Sequence, residues 1–157
     1  MADTLILVMR HAEKPDDADD VHLAPAGTVR AQRLATWLPA EFGTPDFIFA
    51  SAESRHSDRP RETMQPLADA CARVLETPYA DADFAAQAHL LRTDPRYGGK
   101  LSLICWHHGE IPGLLQALGA PDGNFPDPWD PEVFNLIVRL RISADGEFHT
   151  DEITEPF

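Results

Sequence analysis

The 157-residue chain is short of cysteine, of long apolar runs and of positive charge, and each shortage removes a class of protein. Its two cysteines, Cys71 in a helical pattern and Cys105 in a strand pattern, offer neither a metal-ligand spacing nor a disulfide framework. They read as buried thiols of a reducing compartment. No stretch approaches the roughly 20 apolar residues of a membrane span. The first apolar run is too short for a signal-peptide core, and no small-residue cleavage site follows it. A cytoplasmic location without a membrane partner is the expectation. Thirteen Lys+Arg against 26 Asp+Glu leave a formal net charge of −13, which disfavours nonspecific attraction to nucleic acid. An anion can then bind only in a locally basic pocket. No internal repeat is present, and the length fits one domain over residues 1–157 with a hydrophobic core. Oligomeric state is not legible at this level.

What the chain does have is a set of short apolar runs that end in polar groups. Leu5-Ile6-Leu7-Val8-Met9 shows no helical period and stops in Arg10-His11-Ala12-Glu13, so it reads as a strand buried on both faces. Leu101 to Trp106 repeats the pattern and stops in His107-His108-Gly109-Glu110, and Phe47-Ile48-Phe49-Ala50-Ser51 is a third such run. Helical patterns lie between them. Ala31, Leu34, Ala35 and Leu38 share a face in a helix from Pro25 that Pro39 should stop. Leu67, Ala70, Cys71 and Val74 share another, with a kink or fresh start expected at Pro66. Asp81 should cap a helix that turns Phe84, Ala88 and Leu91 inward, after a brief strand near Glu76 to Tyr79. Ile111, Leu114, Leu115 and Leu118 form the cleanest apolar face, with Pro112 tolerated in the first turn. Leu136 to Ile142 alternates like a half-exposed antiparallel strand, and Asp145-Gly146 marks the hairpin that returns it through Glu147 to Ile153. The order predicts an α/β fold: a three-layer α/β/α sandwich on a mostly parallel mixed sheet with an antiparallel C-terminal edge.

Open parallel sheets gather ligands at the carboxyl ends of their strands. Arg10, His11, the basic segment from Arg55 to Arg61 and the His107-His108 pair should therefore converge. Guanidinium forks match phosphoryl oxygens, and the helix beginning near Glu110 adds N-terminal amides favouring the same anion. A neutral imidazole can attack phosphorus, while a second, if protonated, can neutralise charge on the transferring oxygens. That chemistry needs no metal or other cofactor. The acidic stretch from Glu13 to Val21 carries no recurring ligand spacing and reads as a solvated loop. Pattern alone does not choose between His107 and His108.

Four blocks in order resemble the histidine phosphatase superfamily, the phosphoglycerate-mutase-like enzymes. Arg10-His11-Ala12-Glu13 is similar to its Arg-His-Gly-Glu signature, and Leu23-Ala24-Pro25-Ala26-Gly27 to its Leu-Thr-x-x-Gly helix start. Arg59-Pro60-Arg61-Glu62-Thr63 resembles its Arg-Ala-x-Gln-Thr segment, and His108-Gly109 its second His-Gly. The resemblance implies His11 as a nucleophile forming phosphohistidine, with Arg10, Arg59 and His108 as the phosphate pocket. His107 then becomes a packing or hydrogen-bonding neighbour. Ala24 departs from the pattern and forfeits a helix cap worth about 1 kcal/mol. Ser51 and Arg59 stand farther apart than in the family, which brings Arg55 and His56 forward as substrate-binding candidates. The glutamate that usually protonates an alkyl leaving group has no match. Asp81, Asp83 and Glu110 are the proton-donor candidates.

The expectation is a metal-independent phosphatase acting on a phosphorylated small molecule or a phosphoprotein. Its compact size is similar to that of the protein-phosphohistidine phosphatases. A phosphate-binding module without turnover and a metal-dependent hydrolase using His11, His107, His108 and the acidic loop are the alternatives.

Overall fold

A computed structural model describes residues 2–157. The apolar runs form strands β1 (Thr4–Arg10), β2 (Phe47–Ala50), β3 (Leu75–Glu76), β4 (Leu101–Trp106), β5 (Leu136–Ile142) and β6 (Phe148–Thr154). They make one six-stranded sheet in the order β3-β2-β4-β1-β5-β6. The first four run parallel, β5 is antiparallel to β1, and β6 is antiparallel to β5. The helices among the described residues are α1 (Pro25–Phe42), α2 (Arg59–Cys71), α3 (Phe84–Thr93) and α4 (Ile111–Leu118).

Alternation of side chains across the strands builds two cores. Ile6, Val8, Ile104 and Trp106 face Leu91, Ile111, Leu114 and Leu115 of α3 and α4. Leu7, Met9, Leu103 and Cys105 face Leu34, Leu38, Met64 and Leu67 of α1 and α2. The α/β/α sandwich with its antiparallel C-terminal edge is therefore present.

Several local expectations change. Helix α1 does not stop at Pro39 but runs on to Phe42, where the Gly43 N–H closes on the Pro39 carbonyl. A proline this near a helix end forfeits one hydrogen bond while its fixed φ still suits the helix. Helix α2 is one unit through Pro66, and its buried face is Thr63, Met64, Leu67 and Ala68. Ala70 is exposed, and Val74 lies beyond the helix at 79% exposure. The brief strand is Leu75–Glu76, so Tyr79 falls outside it. Asp81 caps no helix: a 3₁₀ turn over Asp81–Asp83 precedes α3, and no side chain caps either element. Strand β5 is less exposed than its alternation suggested, because Ile137, on the face opposite Val138 and Leu140, joins the second core beside Leu7 and Met9.

Register then gathers the strand ends. Arg10 lies opposite Trp106, and Ala50 opposite Cys105. The His11 N–H donates to the Trp106 carbonyl and the Ser51 N–H to the Cys105 carbonyl, each at 3.1 Å.

Candidate active site

His11 leaves β1 directly and is only 2% exposed. Its Nδ1 is 2.7 Å from the Ala12 carbonyl oxygen, a contact that needs a donor, so the proton is assigned to Nδ1 and the free lone pair to Nε2. The backbone at this point is pinned from α2: the Ala12 N–H donates to Thr63 Oγ1 at 2.9 Å, and that hydroxyl donates to the Arg59 carbonyl at 2.8 Å. Burial pulls the His11 pKa down to about 3, against the Ala12 carbonyl and with help from His107, Arg10 and Arg59. The imidazole is neutral at any physiological pH.

Two buried arginines stand beside it. Arg10 donates from Nη1 to the Pro131 carbonyl at 2.5 Å and stacks on Phe134, whose ring centre is 3.9 Å from Cζ. Burial lowers its pKa to about 10; Glu132 and Asp130 oppose that shift and Arg59 adds to it. Arg59 opens α2 and reaches back to the acidic loop, donating from Nε to the His22 carbonyl at 3.0 Å and from Nη2 to the Asp20 carbonyl. The loop before it carries Arg55 and His56 into solvent, Arg55 Nε lying 3.3 Å from His56 Nε2. Of those two, only His56 shares a cavity wall with Arg59.

The second histidine beside His11 is His107. Because β1 and β4 run parallel with Arg10 opposite Trp106, the next residues emerge side by side. Their rings stand edge to face with centroids 5.2 Å apart. The resemblance implies His108 for the pocket; the structure sets the His107 ring against His11, and both histidines lie near enough to Arg10 to feel its charge. His108 steps outward onto a cavity wall shared with Glu110 and Trp129. Burial lowers the His107 pKa to about 4, Arg59, His108 and Arg10 reinforcing it. His108 also shifts down, from burial and then from Arg10 and Lys14. His107 is thus a neutral hydrogen-bonding group at pH 7, and positive charge in the site comes from the arginines.

Of the proton-donor candidates, Asp81 stands out. Burial raises its pKa to about 6, the Glu110 charge adds to this, and the facing His107 amide opposes it. Its Oδ1 is buried without a hydrogen-bond partner among the described residues. Its carbonyl accepts from the Trp106 indole N–H at 3.0 Å, which ties the 3₁₀ turn to the end of β4. Asp83 is exposed, and Glu110 sits at the start of α4 on the cavity wall beside His108.

Two cavities meet at Pro131. One is lined by His108, Glu110, Asp127 and Trp129, the other by Lys14, Asp17, His56, Arg59 and Phe134. Among the described residues, His22, Asp58 and Glu62 have the spacing of metal ligands. Each is already engaged: Asp58 by the Arg61 fork, and Glu62 by His22 Nδ1 at 2.7 Å and the Leu23 N–H at 2.9 Å. None of the three lines either cavity.

The signature is completed by an ion-pair hub. Arg30 binds Glu13 and Glu155, both at 2.9 Å, and also the Phe157 carbonyl. Gly27 allows α1 to approach so closely, since a Cβ there would stand 2.4 Å from the Glu13 carbonyl oxygen. Ala24 makes no side-chain cap, as its residue type dictates.

Pattern alone left His107 and His108 open, and nothing in the sequence pointed to Phe134 or Pro131. The β1–β4 register sets His107 beside His11. No local signal carries the other two.

No family model matches the chain, and no curated protein matches it in sequence. Solved structures do match. The protein histidine phosphatase SixA, complexed with tungstate, superposes with a TM-score of 0.67 and 16% identity, over 96% of this chain and 96% of that one. The phosphoglycerate mutase of Plasmodium falciparum gives 0.65 and 16%, over 98% and 91%. A mycobacterial glucosyl-3-phosphoglycerate phosphatase gives 0.62 and 14%, over 98% and 99%. At such identities the likeness establishes a shared fold.

Proposed function

We propose that the protein is a metal-independent phosphatase that works through a phosphohistidine on His11. One observation carries the reading: a buried, neutral His11 with Nδ1 tied to the Ala12 carbonyl, leaving Nε2 to attack beside two buried arginines. The fold it shares with phosphatases and a phosphoglycerate mutase supports it.

In this reading Nε2 bonds to phosphorus as the bond to the leaving oxygen breaks. Arg10 and Arg59 bind the equatorial oxygens, and His107 donates a hydrogen bond to them. Asp81, protonated below about pH 6, passes its proton to the departing oxygen. Water then attacks the phosphohistidine, returns a proton to Asp81 and releases inorganic phosphate. A protonatable acid brings alkyl phosphomonoesters within reach, alongside aryl phosphates and phosphoramidates. The substrate is a phosphorylated small molecule or a phosphoprotein.

The test is hydrolysis of p-nitrophenyl phosphate with and without EDTA, together with acid-labile labelling by ³²P-substrate. Turnover indifferent to EDTA, with label and activity both lost in His11→Ala, is expected. Activity lost in EDTA, or retained in His11→Ala, would refute the reading. Phosphate binding without turnover would favour the binding module.

A further inference from the structure

We propose that Phe134 is a positioning residue for this reaction and the gate to His11; the inference rests on the roles given above to His11 and Arg10. The Phe134 ring touches both partners. Its centre lies 3.9 Å from Arg10 Cζ, and its centroid is 6.2 Å from that of His11 at 53°. A guanidinium lying on an aromatic face is held in its plane by the ring quadrupole, while its N–H edge stays free for in-plane acceptors. One such donor, Nη1, is on the Pro131 carbonyl; another, Nε, is buried with no partner among the described residues. Phe134 therefore fixes the plane in which Arg10 offers its donors, and Nε is a donor kept in reserve for a phosphoryl oxygen.

The gate follows from burial. His11 is only 2% exposed as a residue, so its neighbouring rings cover most of its surface. His107 follows β4 directly, whereas Phe134 lies in the loop before β5, and Phe134 is the ring taken to yield. The backbone on either side of it is pinned. The Val133 carbonyl accepts from the Trp129 indole N–H at 3.2 Å, and the Asn135 carbonyl accepts from the Glu155 N–H at 2.7 Å. Opening is accordingly a rotation of the Phe134 side chain, not a loop displacement. The ring faces the cavity that also holds Lys14, His56 and Arg59, and that cavity is the route by which the phosphoryl group enters.

Two substitutions separate cover from platform. Phe134→Ala removes both, whereas Phe134→Leu keeps apolar bulk over His11 and removes the aromatic face under Arg10. Carbethoxylation of neutral histidines by diethyl pyrocarbonate, read peptide by peptide, reports the cover without needing turnover. Exposed His56 and His149 serve as internal references. In wild type and Phe134→Leu, His11 reacts at least tenfold more slowly than those references. In Phe134→Ala its rate rises about tenfold, and its NMR titration midpoint moves up from about 3 as burial is relieved. Both variants lose about tenfold in kcat on p-nitrophenyl phosphate. Unchanged His11 protection in Phe134→Ala, or wild-type kcat in Phe134→Leu, would overturn the inference. A wild-type protein that fails to hydrolyse p-nitrophenyl phosphate would instead refute the catalytic reading, and the protection measurements would still judge the gate.

Discussion

Arg10 and Arg59 reach the same site by opposite routes. Arg10 ends a strand, Arg59 begins a helix, and both are buried, at 2% and 8% exposure. Neither is neutralised by a side-chain ion pair among the described residues; each is held by backbone carbonyls from a distant loop. Their surroundings differ. Arg10 lies on an aromatic ring, deep enough for burial to lower its pKa to about 10. Arg59 hangs from the acidic loop that carries Asp20 and His22, which Glu62 steadies from α2. A carbonyl orients a guanidinium without cancelling its charge, so both stay available to an anion.

If depth sets the value of a charge, Arg10 should matter more than Arg59. Arg10→Ala is expected to lower kcat/KM on p-nitrophenyl phosphate by about 10³ and Arg59→Ala by about 10², the range for removing a transition-state donor. Arg10→Lys should recover little, because a point charge does not reproduce the fork. Equal losses would show that the two cages are equivalent. The next effect concerns the acid. Asp81 is protonated below about pH 6 and His11 neutral above about 3, so kcat for an alkyl phosphate should plateau between these values. Above pH 6 it should fall tenfold per unit. Asp81→Asn should remove that limb and lower alkyl rates about 10², leaving aryl phosphates much less affected. A profile in which the limb survives Asp81→Asn would transfer the role to Glu110. Smallest is the loop: Glu62→Ala should raise KM about fivefold with kcat nearly unchanged, the size of one typical net hydrogen bond. No change would mean that the His22 and Asp20 carbonyls hold Arg59 without help.

The sequence was most readable where one local pattern sufficed. Apolar runs ending in Arg10-His11 and His107-His108 located the strand ends, and Ile111, Leu114, Leu115 and Leu118 gave α4 its buried face. Helix α2 misled because two sets satisfy the same spacing; the buried one begins at Thr63, a polar residue whose hydroxyl is spent on the Arg59 carbonyl. The choice between His107 and His108 turned on register, which belongs to a pair of strands and not to one. Phe134 and Pro131 were invisible for a stronger reason. They lie in an irregular loop that meets Arg10 only because β5 is laid against β1.

The placement of β1 also dictates when the site can come into being. Leu5 pairs with Leu101 on one side and with Arg141 on the other, so the strand carrying Arg10 and His11 finds no neighbour close by in the chain. Closing such long loops costs entropy before any contact returns it, which slows folding. Partly folded chains would have the histidine and the arginines without their mutual geometry. Competence to bind phosphate should therefore appear late in refolding, after most helix signal has returned.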